Sequence, residues 1–175
     1  MEADLPPELQ EVAFAQVLRH VLREVSAPSG THPARAIGPV PVVEGAGLSR
    51  LAARVGVSES ALADLFEITE DSVSLHVASS RISSTKSRAT REIALLITGA
   101  RQGSGADEAW TAVEHVRETL QHYRRYDTNN FSSYLRSVAD AFNFRGRGSS
   151  MEVRLTQPGW EMAINLITSL AGGSS

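Results

Sequence analysis

The feature that most limits how this chain folds is a stretch of 22 residues, 26–47, which holds four prolines and four glycines. Proline blocks helix propagation because it lacks a backbone N–H, and glycine weakens helices and strands alike. The stretch is therefore predicted to be a linker or an extended arm. It separates an N-terminal segment, 1–25, from everything that follows.

The N-terminal segment has one regular pattern. Apolar side chains recur at helical spacing over residues 7–25, which predicts an amphipathic helix. An exposed apolar face is a liability, so we expect this helix to pack on the rest of the chain. The alternative is that it binds a protein partner or a second copy of the chain.

The composition excludes several classes of protein. The chain has no cysteine, which excludes a disulfide framework, a thiolate zinc site and a cysteine nucleophile. The longest apolar run, Ile93–Ile97, is far shorter than the roughly 20 residues that cross a bilayer. No apolar stretch follows a basic start, so we expect no secretory signal, no membrane partner and a cytoplasmic location.

Charge is unevenly distributed along the chain. Residues 1–83 carry six basic and eleven acidic side chains, whereas residues 84–155 carry eleven basic and eight acidic ones. A basic segment is one property of nucleic-acid-binding proteins. The excess is small, and an ordinary protein surface has the same balance.

Residues 48–66 have the pattern of two short helices joined by a tight turn. Gly56 is expected to end the first helix, because glycine readily adopts the positive φ that such a turn needs. Ser58 is a good N-cap for the second helix, which is predicted to run to Phe66. A short strand with Val73, Leu75 and Val77 on one face is predicted to follow.

The string at residues 51–62 resembles the helix-turn-helix motif of bacterial regulators. Its second helix carries Glu59 and Asp64, which phosphate repels, and it has none of the side chains that best read base edges. We therefore expect the unit at 48–83 to be structural or to bind a protein.

Residues 84–172 hold the longest series of regular patterns. Three helices are predicted, over 89–102, over 110–123 and over 128–142, with a loop at 103–107 after the first. Asp127 is expected to be the N-cap of the third helix.

A β-hairpin is predicted after the third helix. Apolar and charged side chains alternate over 151–155, and the tip at 145–150 is rich in arginine and glycine. Pro158 and Gly159 are expected to close the hairpin, and a last helix is expected to begin near Trp160.

Three helices, an Arg/Gly-tipped hairpin and a closing helix resemble the winged-helix superfamily. The expected fold class is thus mainly α with a small β-hairpin, a helix-turn-helix-like unit followed by a winged-helix domain at 84–172. The resemblance implies that the third helix enters the major groove of double-stranded DNA and that the wing contacts the backbone or the minor groove. The nucleic-acid ligands that it nominates are Arg124, Arg125, Asn129, Asn130, Ser132, Ser133, Arg136, Arg145 and Arg147.

The chemistry of these residues suits the role. Asparagine can form two hydrogen bonds with adenine, and arginine grips guanine or phosphate. Two arginines on a glycine-rich tip are expected to keep their donors exposed. Lys86, Arg88 and Arg91 would add phosphate contacts if they lie on the same side. The plainer alternatives are that Asn129 and Asn130 extend the helix cap and that the wing tip is a solvated turn.

The sequence does not predict catalysis. His115 and His122 lie two turns apart on one predicted helix, about 10 Å, which is too far for joint ligation of a metal. No recognisable catalytic or phosphate-loop string occurs, and Asp107 and Glu108 are expected to be solvated. We expect a protein without enzymatic activity, cofactor or metal.

Two functions remain from this reading. The first is a DNA-binding winged-helix protein, a transcriptional regulator or an accessory factor. The second is a protein–protein adaptor that uses the winged helix within a larger complex. A continuous positive face would favour DNA, and acidic side chains interrupting that face would favour the adaptor.

Overall fold

A computed structural model describes residues 45–173, so the predicted helix at 7–25 and the linker up to residue 44 lie outside the described residues. The helices are α1 (Ala46–Val55), α2 (Glu59–Ala63), α3 (Lys86–Ser104), α4 (Val113–His122), α5 (Phe131–Arg136) and α6 (Gln157–Gly172). The strands are β1 (Phe66–Ile68), β2 (Val73–Leu75), β3 (Thr111–Ala112), β4 (Phe142–Arg145) and β5 (Glu152–Leu155). The structure is therefore helical with two small antiparallel sheets.

Helix α3 is the centre of the fold. Every residue from Ile93 to Ala100 is buried, because α1, α4, α5 and α6 all pack against this helix. A helix that is covered on all sides has no polar face, which explains an apolar run without amphipathic spacing. The helix also extends beyond its predicted limits at both ends, and it continues to Ser104 where a loop was expected.

The turn between α1 and α2 is built as predicted. Gly56 caps α1 with φ 75°, and its N–H bonds to the carbonyl of Ala52 at 2.8 Å. The Ser58 hydroxyl accepts from the N–H of Ala61 at 3.3 Å. Helix α1 begins at Ala46, two residues before its predicted start, since the N–H of Ser49 bonds to the carbonyl of Gly45.

A short β-hairpin follows α2. The predicted strand is confirmed in β2, whose partner β1 pairs Phe66 with Leu75 and Ile68 with Val73. The prediction that Phe66 ends a helix was wrong, because α2 stops at Ala63. Phe66 is instead the first residue of strand β1, in which its side chain is buried in the core and the next side chain is exposed.

The segments at 48–83 and 84–172, predicted as separate units, share one core. Leu51 and Leu62 from the first segment are buried in the same cluster as Ile93 and Leu96 from α3. The hydroxyl of Tyr123, the residue after α4, lies within hydrogen-bond distance of the β2 carbonyl of Leu75, at 3.0 Å, and of the Val77 carbonyl, at 2.7 Å. The structure thus joins the two segments rather than dividing them.

The second hairpin is confirmed, with one addition. Strands β4 and β5 pair Phe142 with Leu155 and Arg145 with Glu152. The two-residue strand β3, which was not predicted, pairs with the other edge of β5 and gives the order β3-β5-β4. The tip at 146–150 is exposed and is called the wing tip below.

The third predicted helix is much shorter than expected. Helix α5 covers only Phe131–Arg136, and a 3₁₀ turn at Ala139–Ala141 leads into β4 at Phe142. The Ser137 hydroxyl donates to the carbonyl of Tyr134 at 2.7 Å, a bond that competes with helix propagation. The prediction of a helix through residue 142 was therefore wrong.

The last helix begins three residues before its predicted start. The Thr156 hydroxyl accepts from the N–H of Gly159 at 3.1 Å and caps α6, so Pro158 lies in its first turn rather than closing the hairpin. A Cβ on Gly159 would lie 2.0 Å from the carbonyl oxygen of Ala141, so only glycine permits this contact. Within residues 45–173, no helix combines the length and apolar character that a membrane span needs.

Candidate nucleic-acid interface

The residues nominated as DNA ligands lie on three consecutive elements. These are the turn between α4 and α5, helix α5 itself, and the β4–β5 hairpin with its wing tip. All nine are exposed except Arg125, which is half-buried. These side chains are therefore accessible to a ligand. Whether each one can bind DNA depends on the contacts that it already makes within the chain.

The turn that leads from α4 toward α5 has an unusual backbone. Arg124 has φ 55°, the left-handed conformation that glycine usually supplies at a helix end. Its N–H bonds to the carbonyl of Gln121 at 3.0 Å, and the N–H of Arg125 bonds to that of Leu120 at 2.8 Å. This pair of bonds ends α4 and leaves the Arg124 side chain exposed.

Asp127 organises the start of the α5 region. One of its carboxylate oxygens accepts from the N–H groups of Asn129 and Asn130, each at 3.2 Å. The Asn130 side-chain amide also donates to the carboxylate. These hydrogen bonds hold the pKa of Asp127 below its ordinary value, and the bond from the Asn130 side chain has the largest effect. Asn130 is thus engaged within the chain. The prediction that Asp127 is the N-cap of the third helix was wrong, because α5 begins at Phe131 with Asn130 as its N-cap, and Asp127 holds the turn before it.

Helix α5 has one buried and one polar face. Phe131 and Leu135 are buried, whereas Ser132, Ser133 and Arg136 are exposed. The Arg136 guanidinium lies 5.1 Å from the ring centre of Phe144 on β4. The polar face of α5 is therefore next to the hairpin.

Arg145 does not keep its donors exposed as predicted. Its Nε and one Nη bond to both carboxylate oxygens of Glu152, its cross-strand partner. The pair raises the pKa of Arg145 and lowers that of Glu152. The guanidinium also lies 4.5 Å from the ring centre of Trp110, with Arg154 at 5.0 Å from the same ring. Glu152 thus neutralises the charge of Arg145, the residue that precedes the wing tip.

The wing tip carries Arg147, which is exposed. An arginine that the sequence reasoning missed anchors this tip. Arg117 on α4 donates to the carbonyl of Gly148 at 3.1 Å and to Glu114 at 2.8 Å. Its guanidinium also lies 5.3 Å from the ring centre of Phe131. One side chain therefore contacts both α5 and the wing tip, which makes those two elements neighbours.

The start of α3 brings further positive charge to the α4–α5 turn. Lys86 is close enough to Asp127 to lower the pKa of that carboxyl, although less than the Asn130 side chain does. Arg88 and Arg125 line one pocket. Arg91 is half-buried, and its Nε donates to the carbonyl of Ser87 at 3.3 Å. Lys86 and Arg88 thus lie near the nominated surface, as the sequence reasoning required for added phosphate contacts.

The expectation that Asp107 is solvated was wrong. Its carboxylate pairs with both Nε and Nη2 of Arg101 at 2.8 and 2.9 Å, and the two side chains are only 14% and 7% exposed. Burial raises the pKa of Asp107, but hydrogen bonds from Arg101 and Thr111 outweigh it, so the pKa lies below its ordinary value. Arg101 also approaches the carbonyl of Asp71 at 3.5 Å, which connects the β1–β2 hairpin to the loop before β3.

Three of the histidines lie around a second cleft. His76, His115 and His122 line a space of about 430 Å³ beside β2 and α4. The Nε2 atom of His76 lies 3.4 Å from a carboxylate oxygen of Glu67, and the Nδ1 atom of His115 lies 3.7 Å from a carboxylate oxygen of Glu118. No group of three histidine, aspartate or glutamate side chains among residues 45–173 is placed to hold a metal ion.

Comparison of the chain with family models, with curated proteins and with solved structures finds no match.

Proposed function

We propose that residues 84–172 form a winged-helix module that binds double-stranded DNA. The observation that carries the proposal is the contact of Arg117 with both α5 and the wing tip. It joins the third helix, through the buried ring of Phe131, to an exposed hairpin tip, and the winged-helix resemblance assigns these two elements to DNA. Strand β3 supports the proposal further, because it widens the hairpin into a three-stranded sheet.

The contact surface favours phosphate over bases. Asn130 is engaged by Asp127, and Arg145 is paired with Glu152, so two of the nominated readers have internal partners. The remaining cations near α5 and the wing tip are Lys86, Arg124, Arg136 and Arg147, whereas Arg88 and Arg125 line a separate pocket. Guanidinium and ammonium groups bind the DNA backbone in any sequence, so we expect modest sequence preference.

The test is fluorescence anisotropy of a labelled mixed-sequence duplex at 50 and 200 mM NaCl. Four phosphate contacts would give a slope of about −3.6 for the logarithm of affinity against the logarithm of salt, or about a hundredfold loss between these salt concentrations. Absence of binding at 50 mM salt would end the proposal.

Two single substitutions locate the contact. Arg147→Ala removes an exposed cation at the wing tip and should weaken duplex binding about five- to tenfold. Arg154→Ala is the matched control, since Arg154 is an exposed arginine on the same hairpin that stacks on Trp110. Equal losses from both substitutions would point to general charge rather than to the wing tip.

A protein–protein adaptor is the second candidate. The Arg145–Glu152 pair and the Asp127–Asn130 contacts favour it, because acidic groups interrupt the positive face. Purification from the native cell separates the two candidates. DNA as the co-purifying component would support the first proposal, whereas a stoichiometric polypeptide without nucleic acid would support the adaptor.

A further inference from the structure

A pocket of about 410 Å³ lies between the start of α3, the connector at 79–85 and the end of α4. Four serines and three arginines line it, together with Glu92 as its one acidic side chain. Three guanidinium groups and one carboxylate give the lining a net charge of about +2, opposite to that of a phosphate monoester near neutral pH.

The pocket has a built framework. Arg125 donates through Nε to the carbonyl of Ser83 at 3.2 Å, and the N–H of Ser83 donates to Glu92 at 2.9 Å. These two bonds fix the connector against α3 and α4. Arg81 donates to the carbonyl of Leu170 on α6, which holds its charge at the pocket wall.

The donors that remain suit an oxyanion. Among residues 45–173, Arg125 donates a hydrogen bond only through its Nε, so the N–H groups of its two Nη atoms are available to a ligand. Arg88 is exposed and forms no salt bridge with a described residue. Planar guanidinium groups match phosphate oxygens in pairs, and serine hydroxyls add single hydrogen bonds.

The first turn of α3 strengthens the same preference. The Thr85 side chain makes no capping bond, so the first N–H groups of this 19-residue helix lack a side-chain partner. Such groups and the helix dipole favour negative charge. Of this first turn only Arg88 lines the pocket, so the helix end adds positive potential nearby and is not a site of its own.

We propose that this pocket binds the phosphate group of a small phosphomonoester. The recess and its net charge match a compact dianion better than they match the singly charged diesters of a duplex backbone. The proposal goes beyond DNA binding, because it requires neither α5 nor the wing tip.

Titration of the full chain with inorganic phosphate tests the proposal, with ionic strength held constant by sodium chloride. In ¹H–¹⁵N spectra the amide signals of Ser83, Ser84 and Arg88 should shift and saturate. Arg88→Gln and Arg125→Gln should each raise the dissociation constant at least tenfold, because each removes a charge-assisted contact. Linear shifts spread over all arginines would overturn the proposal.

Control variants keep the test decisive. Arg154→Gln removes an exposed arginine outside the pocket and should change phosphate affinity less than twofold. Arg88→Gln breaks no internal salt bridge among the described residues, so it remains informative if Arg125→Gln fails to fold. Unchanged phosphate binding by folded Arg88→Gln would contradict the proposal.

A blunt duplex with 5′-hydroxyl ends separates the two sources of phosphate. If inorganic phosphate shifts the pocket amides and the duplex does not, a free monoester is the ligand. A duplex that shifts them when inorganic phosphate does not would overturn the monoester assignment. Failure of the duplex to bind at all would remove the DNA proposal and leave the phosphate titration standing.

Discussion

The two helix pairs of this chain, α1–α2 and α4–α5, end their first helix in the same backbone conformation but with different residues. Gly56 follows α1 at φ 75°, and Arg124 follows α4 at φ 55°. Glycine adopts this conformation without steric cost, whereas a residue with a Cβ is destabilised by roughly 1–2 kcal/mol. The first pair is thus locally relaxed, and the second is locally strained.

Because of this difference, we expect functional residues in the second helix pair rather than in the first. Non-glycine residues at positive φ concentrate at functional sites, because the surrounding structure must hold them there. Arg124 sits between buried Tyr123 and half-buried Arg125, which lines the phosphate pocket. The first pair has a glycine and a serine where its turn needs them and no cation in α2, as we expected of a unit that is structural or binds a protein.

The largest effect is expected at the buried ion pair that connects the β1–β2 hairpin to the loop before β3. Asp107→Asn leaves the buried Arg101 guanidinium without its carboxylate, which should lower the free energy of unfolding by about 3–5 kcal/mol. Urea denaturation at pH 7 measures this change. Glu108→Gln, an exposed neighbour, should change the stability by about 0.5 kcal/mol or less.

The same pair gives a pH dependence with a definite sign. The folded pKa of Asp107 lies below its ordinary value of 3.8, so its stabilising effect is complete above that pH and is lost as pH falls through the folded pKa. The stability gap between the wild-type chain and Asp107→Asn should therefore be constant from pH 5 to 8 and should narrow below 3.8. A gap that narrows already between pH 8 and 6 would contradict this.

The next effect tests the relaxed turn. Gly56→Ala should lower the free energy of unfolding by about 1–2 kcal/mol, through backbone strain alone, because no atom outside the adjacent residues lies within 4 Å of the added Cβ. Gly56→Asn should lose less, since asparagine tolerates this conformation. Equal losses for alanine and asparagine in urea melts would show that the strain argument is wrong.

Local signals made this first pair predictable. A helix stop at Gly56 and a cap at Ser58 act within four residues of themselves, so the sequence contains the whole interaction. The exposed wing tip was predictable for the same reason. The Arg145–Glu152 pair was also within reach, because hairpin register places these opposite charges across from each other.

Other features depend on distant contacts. Arg101 and Asp107 lie six residues apart without sharing a helix face, and they meet only because the loop turns back on α3. Helix α5 ends early because the chain must enter β4 at Phe142, a demand set by pairing with Leu155. The phosphate pocket joins residues 79–92 to Arg125, which no local pattern connects.

A smaller effect compares two helix starts. Ser58→Ala removes the hydroxyl that caps α2 and should cost about 1 kcal/mol of stability. Thr85→Ala at the start of α3 is the matched control, because the Thr85 side chain makes no cap bond, and it should cost less than about 0.5 kcal/mol. The order would be reversed if helix propensity rather than the cap bond set the stability of these starts.

The smallest expected change in stability bears most directly on the strained turn. Arg124→Gly should raise the free energy of unfolding by about 0.5 kcal/mol, since relief of the positive φ exceeds the entropy that glycine adds to the unfolded chain. The same variant should weaken duplex binding severalfold by removing one phosphate contact. Arg124→Ala separates the two effects, because it removes the cation and keeps the strain: its DNA affinity should match that of Arg124→Gly while its stability does not rise. If Arg124→Gly bound DNA as tightly as the wild-type chain, the Arg124 side chain would not contact the DNA backbone. The strained turn would then not serve to place a cation there.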